Sequence, residues 1–88
     1  MNAKEWERKL REEGFSVTYA WEDGPNEFYP DHTHSTVTAH VILEGGMTLT
    51  SQGKTQSYQP SDRFHVPAGA VHSARMGPAG CRYLIGEK

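Results

Sequence analysis

The sequence predicts an all-β fold, a small antiparallel β-barrel preceded by one short N-terminal helix. Residues 15–21, FSVTYAW, alternate between apolar and polar side chains with a period of two, the pattern of a half-buried strand. Residues 38–86 contain short segments rich in β-branched and aromatic side chains. Glycine and proline punctuate these segments at the spacing that is typical of a sandwich or barrel.

The helix is predicted over residues 2–13. Trp6 and Leu10 are four residues apart and share one helical face. Most of the other positions hold Glu, Lys or Arg, which are good helix formers, and Gly14 is a natural stop signal. The apolar stripe is narrow, so the helix is expected to pack against the barrel or against a partner chain.

The strands follow in order after this helix. The first is FSVTYAW, and EDGPN after it has the composition of a loop. The remaining predicted strands are TAHVILE, MTLTSQ, TQSYQ, RFHVP, VHSARM and CRYLIG, separated by GG, GK, PSD, PAG and GPAG. No linker, repeat or low-complexity stretch interrupts the chain, so residues 1–88 are interpreted as one domain.

Composition narrows the choice of partners and compartment. The formal net charge is −2 and no basic patch stands out, which argues against a nucleic-acid partner. Cys81 is the only cysteine, so no internal disulfide is expected, in keeping with a reducing cytoplasmic setting. No apolar run approaches the roughly 18 residues of a membrane span, and the N-terminus is too charged for a signal peptide.

Three histidines carry the main functional signal. His32 and His34 point the same way on an extended segment, because side chains alternate along a strand. This spacing alone fits solvated polar positions as well as a metal site. His72 follows the rigid turn PAGAV at the start of a predicted strand, and a third imidazole from a remote strand is what a coordination sphere requires.

Two segments resemble the sequence motifs of the cupins. HTHSTVTAHVILEG, residues 32–45, is similar to the first motif, G-x5-H-x-H-x3-4-E-x6-G. SDRFHVPAGAVHSARM, residues 61–76, is similar to the second, G-x5-P-x-G-x2-H-x3-N, and PAGAVH matches its P-x-G-x2-H in full. The resemblance covers residues 29–86. It implies a double-stranded β-helix, or jelly roll, that holds a metal ion and has residues 1–14 as an N-terminal helix.

The chain departs from the cupin pattern at the glutamate ligand. Thr38 stands where that carboxylate belongs, and His40 is the nearest substitute, two residues further along the same strand face. A bulge would let His40 bind the ion. Otherwise, His40 contacts the ligands or the substrate from the pocket. The predicted metal set is therefore His32, His34 and His72, with His40 as the fourth donor, and His65 is expected on the surface.

An all-imidazole set suits iron, nickel, copper or zinc better than manganese. The resemblance implies a metal-dependent enzyme, of the oxygenase or oxidoreductase type, acting on a small molecule. Thiol dioxygenases are cupins that resemble this chain in using three neutral histidines. The alternatives are a non-catalytic ligand-binding or sensing cupin and a purely structural barrel. No catalytic residue and no phosphate-binding loop is identified. Side chains that are candidates for a pocket wall or for plain core are Trp21, Phe28, Tyr29, Met47, Phe64 and Met76.

A homodimer is also expected. Chains of this size bury a modest fraction of their surface, and the edge strand FSVTYAW and the face with Trp6 and Leu10 are apolar enough to need cover. The alternative is that the helix covers one end of its own barrel.

Overall fold

The computed structural model describes residues 1–88 as one helix and six strands. The helix α1 spans Ala3–Glu12. The strands are β1 Val17–Asp23, β2 Phe28–His32, β3 Thr38–Ser51, β4 Lys54–Tyr58, β5 Arg63–Val66 and β6 His72–Glu87. All strand pairs are antiparallel. The predicted all-β fold with one short helix is confirmed.

The helix begins at a capping box. The Asn2 side chain accepts a hydrogen bond from the Glu5 backbone N–H at 2.9 Å, and the Glu5 carboxylate accepts one from the Asn2 N–H at 3.2 Å. The two residues thereby satisfy N–H groups that the first turn leaves without partners. Gly14, with a φ of 100°, ends the helix as the sequence predicted. The helix is neither long nor apolar enough to cross a membrane.

Two long strands, β3 and β6, connect two four-stranded sheets. Residues 38–45 of β3 pair with residues 81–87 of β6, and β5 and β1 complete the first sheet in the order β1-β6-β3-β5. Residues 47–51 of β3 pair with residues 72–76 of β6, and β2 and β4 complete the second sheet in the order β2-β6-β3-β4. The two sheets enclose the inside of the barrel, as in a jelly roll.

The strand boundaries predicted at GG and GPAG are bulges rather than turns. The register between β3 and β6 shifts from Ile42 to Glu44 and from Gly45 to Met47. Gly45 and Gly80 both have a φ near 78°, and a Cβ on Gly45 would lie 2.1 Å from the Gly80 carbonyl oxygen. Only glycine allows both strands to bend at this close contact. The four strands predicted on either side of GG and GPAG are therefore two continuous strands, and β2 was not predicted because Pro30 interrupts the strand pattern.

Two apolar cores lie on opposite faces of the first sheet. The outer core joins Trp6, Leu10 and Phe15 of the N-terminal segment to Ala39, Val41 and Leu84 of the sheet. The inner core lies between the sheets and includes Ile42, Met47, Leu49, Phe64, Met76, Tyr83 and Ile85. The inner core is incomplete, and the space that it leaves forms a cavity.

Candidate metal centre

The cavity between the two sheets has a volume of about 270 Å³. Ten of its 14 lining residues are hydrophobic, and the other four are His32, His34, His40 and His72. No lysine, arginine, aspartate or glutamate lines it. The cavity is therefore a largely apolar chamber whose polar side chains are four imidazoles, beside its aromatic lining of tyrosine, tryptophan and phenylalanine.

Three of these histidines form one cluster. His32 ends β2 and lies directly opposite His72, the first residue of β6. His34 follows two residues after His32, and its carbonyl oxygen accepts a hydrogen bond from Gly69 N–H at 2.9 Å, which ties it to the turn before His72. The ring centroids lie 4.2 to 5.1 Å apart, and one ring nitrogen of each histidine lies within 4.8 Å of the others. These three side chains are positioned to bind a metal ion.

Backbone carbonyl groups fix the orientation of two of the rings. Nδ1 of His32 lies 2.7 Å from the Pro30 oxygen, and Nδ1 of His72 lies 3.1 Å from the Ala70 oxygen. A carbonyl oxygen only accepts, so Nδ1–H donates in both cases and Nε2 keeps its lone pair. Metal-binding histidines are usually held in this way by an outer hydrogen bond. The donor set therefore fits a metal ion in its chemistry as well as in its position.

The protonation state also favours metal binding. Burial lowers the pKa of both His34 and His72 below 6.5, and the neighbouring histidines add to the lowering. Both rings are therefore mostly neutral at physiological pH. A histidine must be neutral to donate its lone pair to a metal ion.

His40 lies outside this cluster. It is a residue of β3 opposite Phe64 and Ile85, and its ring stacks on Phe64 at a centroid distance of 4.7 Å. The side chain is buried, and Nδ1 has no hydrogen-bond partner in the protein. Burial, with the nearby histidines, lowers the pKa of His40 to about 3. His40 is thus a neutral imidazole in the cavity wall, and its part in a metal site stays a prediction.

Thr38 and His65, the other two polar residues considered in the sequence, do not line the cavity. Thr38 is almost fully buried, with no hydrogen-bond partner for Oγ1, and no carboxylate joins the histidine cluster. His65 lies exposed on β5, beside Arg63 and the Phe15 ring.

A buried carboxylate behind the cavity wall was not predicted from the sequence. Asp23 ends β1 and is 8% exposed. It accepts hydrogen bonds from the hydroxyl groups of Tyr29 and Tyr83, both at 2.7 Å, and from Trp21 Nε1 at 3.1 Å. The loop composition of EDGPN concealed this role. The signal was available, because the period-two series of the strand continues from Trp21 to Asp23.

Comparison with protein families gives one match over most of the chain. The model of the AraC-like ligand binding domain matches residues 14–85. These residues include β1 to β5 in full, β6 as far as Ile85, and every residue that lines the cavity.

One relative with a described activity is similar over part of the chain. Quercetin 2,3-dioxygenase of Bacillus subtilis (strain 168) is 43% identical over 47 residues, which are 52% of this chain and 14% of that protein. The chain therefore spans only a small part of the length of this relative.

Solved structures with the same fold include several cupins. The polyketide cyclase RemF from Streptomyces resistomycificus has a TM-score of 0.70 and 32% identity, over 81% of this chain and 53% of RemF. An RmlC-like cupin from Shewanella frigidimarina has a TM-score of 0.73 and 18% identity, over 81% of this chain and 63% of its own. The DMSP lyase DddQ from Ruegeria pomeroyi has a TM-score of 0.74 and 22% identity, over 81% and 36%.

Proposed function

The chain belongs to the AraC-like ligand binding domain family of cupin barrels, and on that premise we propose that it is a metal-dependent small-molecule site. His32, His34 and His72 hold a divalent transition metal ion, and the apolar cavity beside them holds the molecule. The observation that carries this proposal is the convergence of three ring nitrogens within 4.8 Å of one another at the wall of the cavity.

The donor set favours particular metals. Three neutral imidazoles bring no negative charge, so iron, nickel, copper or zinc is preferred over manganese. Three protein donors leave coordination positions open, and an ion bound there supplies a Lewis acid that polarises an oxygen atom of a ligand. The protein contributes fixed rings and a chamber with an apolar lining that displaces water.

His40 belongs to the wall of the cavity in this proposal. The sequence left two roles open for it, a fourth metal donor or a contact to the bound molecule. Its stacking on Phe64 and its position outside the cluster support the second role. The site then consists of a three-histidine metal centre with one further neutral imidazole facing the cavity.

The activity that we propose is of the oxygenase or oxidoreductase type. The similarity of 47 residues to a quercetin dioxygenase supports this class. Ligand binding without catalysis, as in a sensing module, is the second candidate. The family description as a ligand binding domain supports that candidate.

Two measurements test the proposal in turn. Metal analysis of the purified protein should give close to one ion per chain after loading with Fe²⁺, Ni²⁺, Cu²⁺ or Zn²⁺, and failure to retain any of them would remove the metal centre. Oxygen uptake by the loaded protein with thiols, phenols and diketones separates the two candidates. Uptake with one class supports an enzyme, and binding without uptake supports the sensing module.

A homodimer is a separate part of the proposal. One edge of β1 pairs with β6, and no strand pairs with its other edge. Val17, Tyr19 and Trp21 are 40% to 52% exposed along this strand, so a second copy is the cover that we propose. Light scattering should give twice the chain mass, and Val17→Lys should lower it. Ala20→Lys, on the opposite face of β1, is the control. A monomeric wild-type protein at micromolar concentration would refute the dimer.

A further inference from the structure

The buried carboxylate of Asp23 joins two tyrosines of the cavity wall. Tyr83 donates to Oδ2, and Tyr29 donates to Oδ1. We refer to these three side chains as the Tyr29–Asp23–Tyr83 bridge. Both tyrosines line the cavity, whereas Asp23 lies behind them. Tyr29 comes from the second sheet and Tyr83 from the first, so the bridge spans both sheets through one carboxylate.

The position of Asp23 is fixed by close backbone packing. A Cβ on Gly80 would lie 2.6 Å from the Asp23 carbonyl oxygen, so only glycine allows β1 to end at this distance from β6. Trp21 Nε1 adds a third hydrogen bond to the carboxylate. The carboxylate of the bridge is therefore held in a fixed position by the surrounding strands.

The bridge determines which hydrogen bonds the two tyrosines can offer to a bound molecule. A phenol has one hydrogen to donate, and both tyrosines give theirs to Asp23. The hydrogen bond to Asp23 and burial raise the pKa of Tyr29, and burial and that same carboxylate raise the pKa of Tyr83, so both keep their protons. Each phenol oxygen can then only accept a further hydrogen bond. Donation to a carboxylate makes each oxygen a better acceptor.

His40 adds a second reason to expect a polar group of a ligand in this region. Its ring centroid lies 6.1 Å from that of Tyr83, it is 8% exposed, and its Nδ1 has no partner. His40 also lines the cavity, so its imidazole lies beside Tyr83 at the place where a bound molecule would lie. On the opposite side of the bridge, the Tyr29 ring lies 6.3 Å from His32 of the metal cluster. A polar strip thus runs along the apolar cavity from His32 to His40.

We infer that the Tyr29–Asp23–Tyr83 bridge, with His40, is a specificity site that selects neutral, largely apolar molecules carrying a hydroxyl group. The hydroxyl donates to a tyrosine oxygen, and the rest of the molecule packs against the apolar lining. This inference rests on the proposed function, because it assigns a ligand class to the same cavity. Asp23 is a positioning residue in it, since it acts through the two tyrosines.

The first test compares two probes of nearly equal shape, 4-ethylphenol and its methyl ether. Their affinities are measured by NMR titration of the full-length protein, both loaded with Zn²⁺ and free of metal. The phenol should bind about 3- to 10-fold more tightly than the ether, the range expected for one hydrogen bond. The preference for the phenol should persist without metal, because the hydroxyl group donates its hydrogen bond to a tyrosine of the bridge and does not bind the ion.

Variants then assign the preference to the bridge. Tyr83→Phe and Tyr29→Phe each remove one acceptor, and at least one of them should reduce the ratio of phenol to ether affinity towards one. Asp23→Asn is the sharper variant, because the amide nitrogen cannot accept and one tyrosine then turns its hydrogen towards the cavity. That hydrogen can bond to the ether, so the ratio should fall through tighter ether binding. Tyr58→Phe, a tyrosine outside the cavity lining, is the matched control, and the dispersion of the NMR spectrum verifies the fold of each variant.

Each outcome has a distinct meaning. Equal affinities of the two probes for the wild-type protein, or a ratio that stays the same in all three bridge variants, would overturn the inference and leave the metal site intact. A preference that exists only in the Zn²⁺-loaded protein would assign the hydroxyl to the ion and would also overturn it. If neither probe binds in either form, the cavity is not a site for such ligands, and both the inference and the small-molecule part of the proposed function fail.

Discussion

The two faces of the first sheet differ in what they bury. On the outer face, Ala39, Val41 and Leu84 pack against α1 and the residues after it in an apolar core. On the inner face, the neighbouring residues His40 and Ile85 line a cavity. Alternate residues of the same strands therefore face opposite sides. One set packs into the closed apolar core, and the other set lines the cavity that contains the histidines. Both faces bury apolar side chains, but the inner face also holds polar groups that cost stability.

Loss of one clustered histidine should have the largest effect, and it should be confined to the inner face. His72→Ala removes a proposed metal donor, so metal affinity should fall by more than the roughly 100-fold that the loss of an outer partner causes. Metal analysis after dialysis measures this, and the metal-free variant should remain folded. His65→Ala, an exposed histidine of β5, is the control. Full metal retention by His72→Ala would contradict the assignment.

Truncation of a side chain in the outer core should lower the stability of the protein and leave metal binding unchanged. Leu10 is fully buried between α1 and the sheet, so Leu10→Ala should lower the free energy of unfolding by about 2–5 kcal/mol. Urea denaturation measures the loss, with the exposed Val71→Ala as the control. The metal content per folded chain should not change. A parallel loss of metal would mean that the two faces are coupled rather than separate.

The pH dependence of protein stability tests how much the buried His40 of the inner face costs in free energy of unfolding. Its pKa is lowered from 6.5 to about 3, so between these pH values the unfolded chain binds a proton at His40 that the folded chain does not. Stability should therefore fall with decreasing pH in this window, by about 1.4 kcal/mol per pH unit for one such group. His40→Leu should make the fall shallower, and His65→Leu should have a smaller effect.

Urea titrations of metal-free protein at neutral and mildly acidic pH measure these slopes. The same His40→Leu variant should retain most of its metal when loaded, because His40 lies outside the cluster. Loss of metal comparable to that of His72→Ala would make His40 a donor after all. An unchanged acid slope would mean that His40 is not a buried neutral base.

The smallest expected effect lies at the start of the helix. Asn2→Ala removes the acceptor of the Glu5 N–H and should lower the free energy of unfolding by about 1 kcal/mol. Thermal unfolding followed by circular dichroism detects such a change, and Lys4→Ala on the exposed side is the control. An effect as large as that of Leu10→Ala would show that the outer core depends on the cap more than on its apolar contacts.

The sequence allowed the fold and the histidine cluster to be predicted for local reasons. Period-two alternation and the turn PAGAV are readable residue by residue, and His32, His34 and His72 lie in or directly beside such elements. The two continuous strands were not readable, because a glycine bulge and a glycine turn have the same composition. Only the contact between Gly45 and Gly80, which are 35 residues apart in the sequence, distinguishes the bulge from a turn.

The period-two series could have placed Asp23 on a strand, but its partners in the Tyr29–Asp23–Tyr83 bridge were unpredictable for the same reason. Each of its members has an ordinary local context, and Asp23 lies in a segment with the composition of a loop. Its role depends on hydrogen bonds to partners 6 and 60 residues away. Pairwise geometry across the barrel makes Asp23, at the end of β1, a buried acceptor.

The course of β3 and β6 through both sheets has a consequence for the order of folding. Thr38 pairs with Glu87 and Ser51 with His72, so the central ladder of each sheet joins distant parts of the chain. Neither sheet can be completed on a ribosome before residues 72–87 have emerged. Loops must close before these contacts form, so folding is expected to be slow and to occur after synthesis of this segment. The proposed metal donors His32 and His72 come together at the same late stage, so metal uptake should report completion of the barrel.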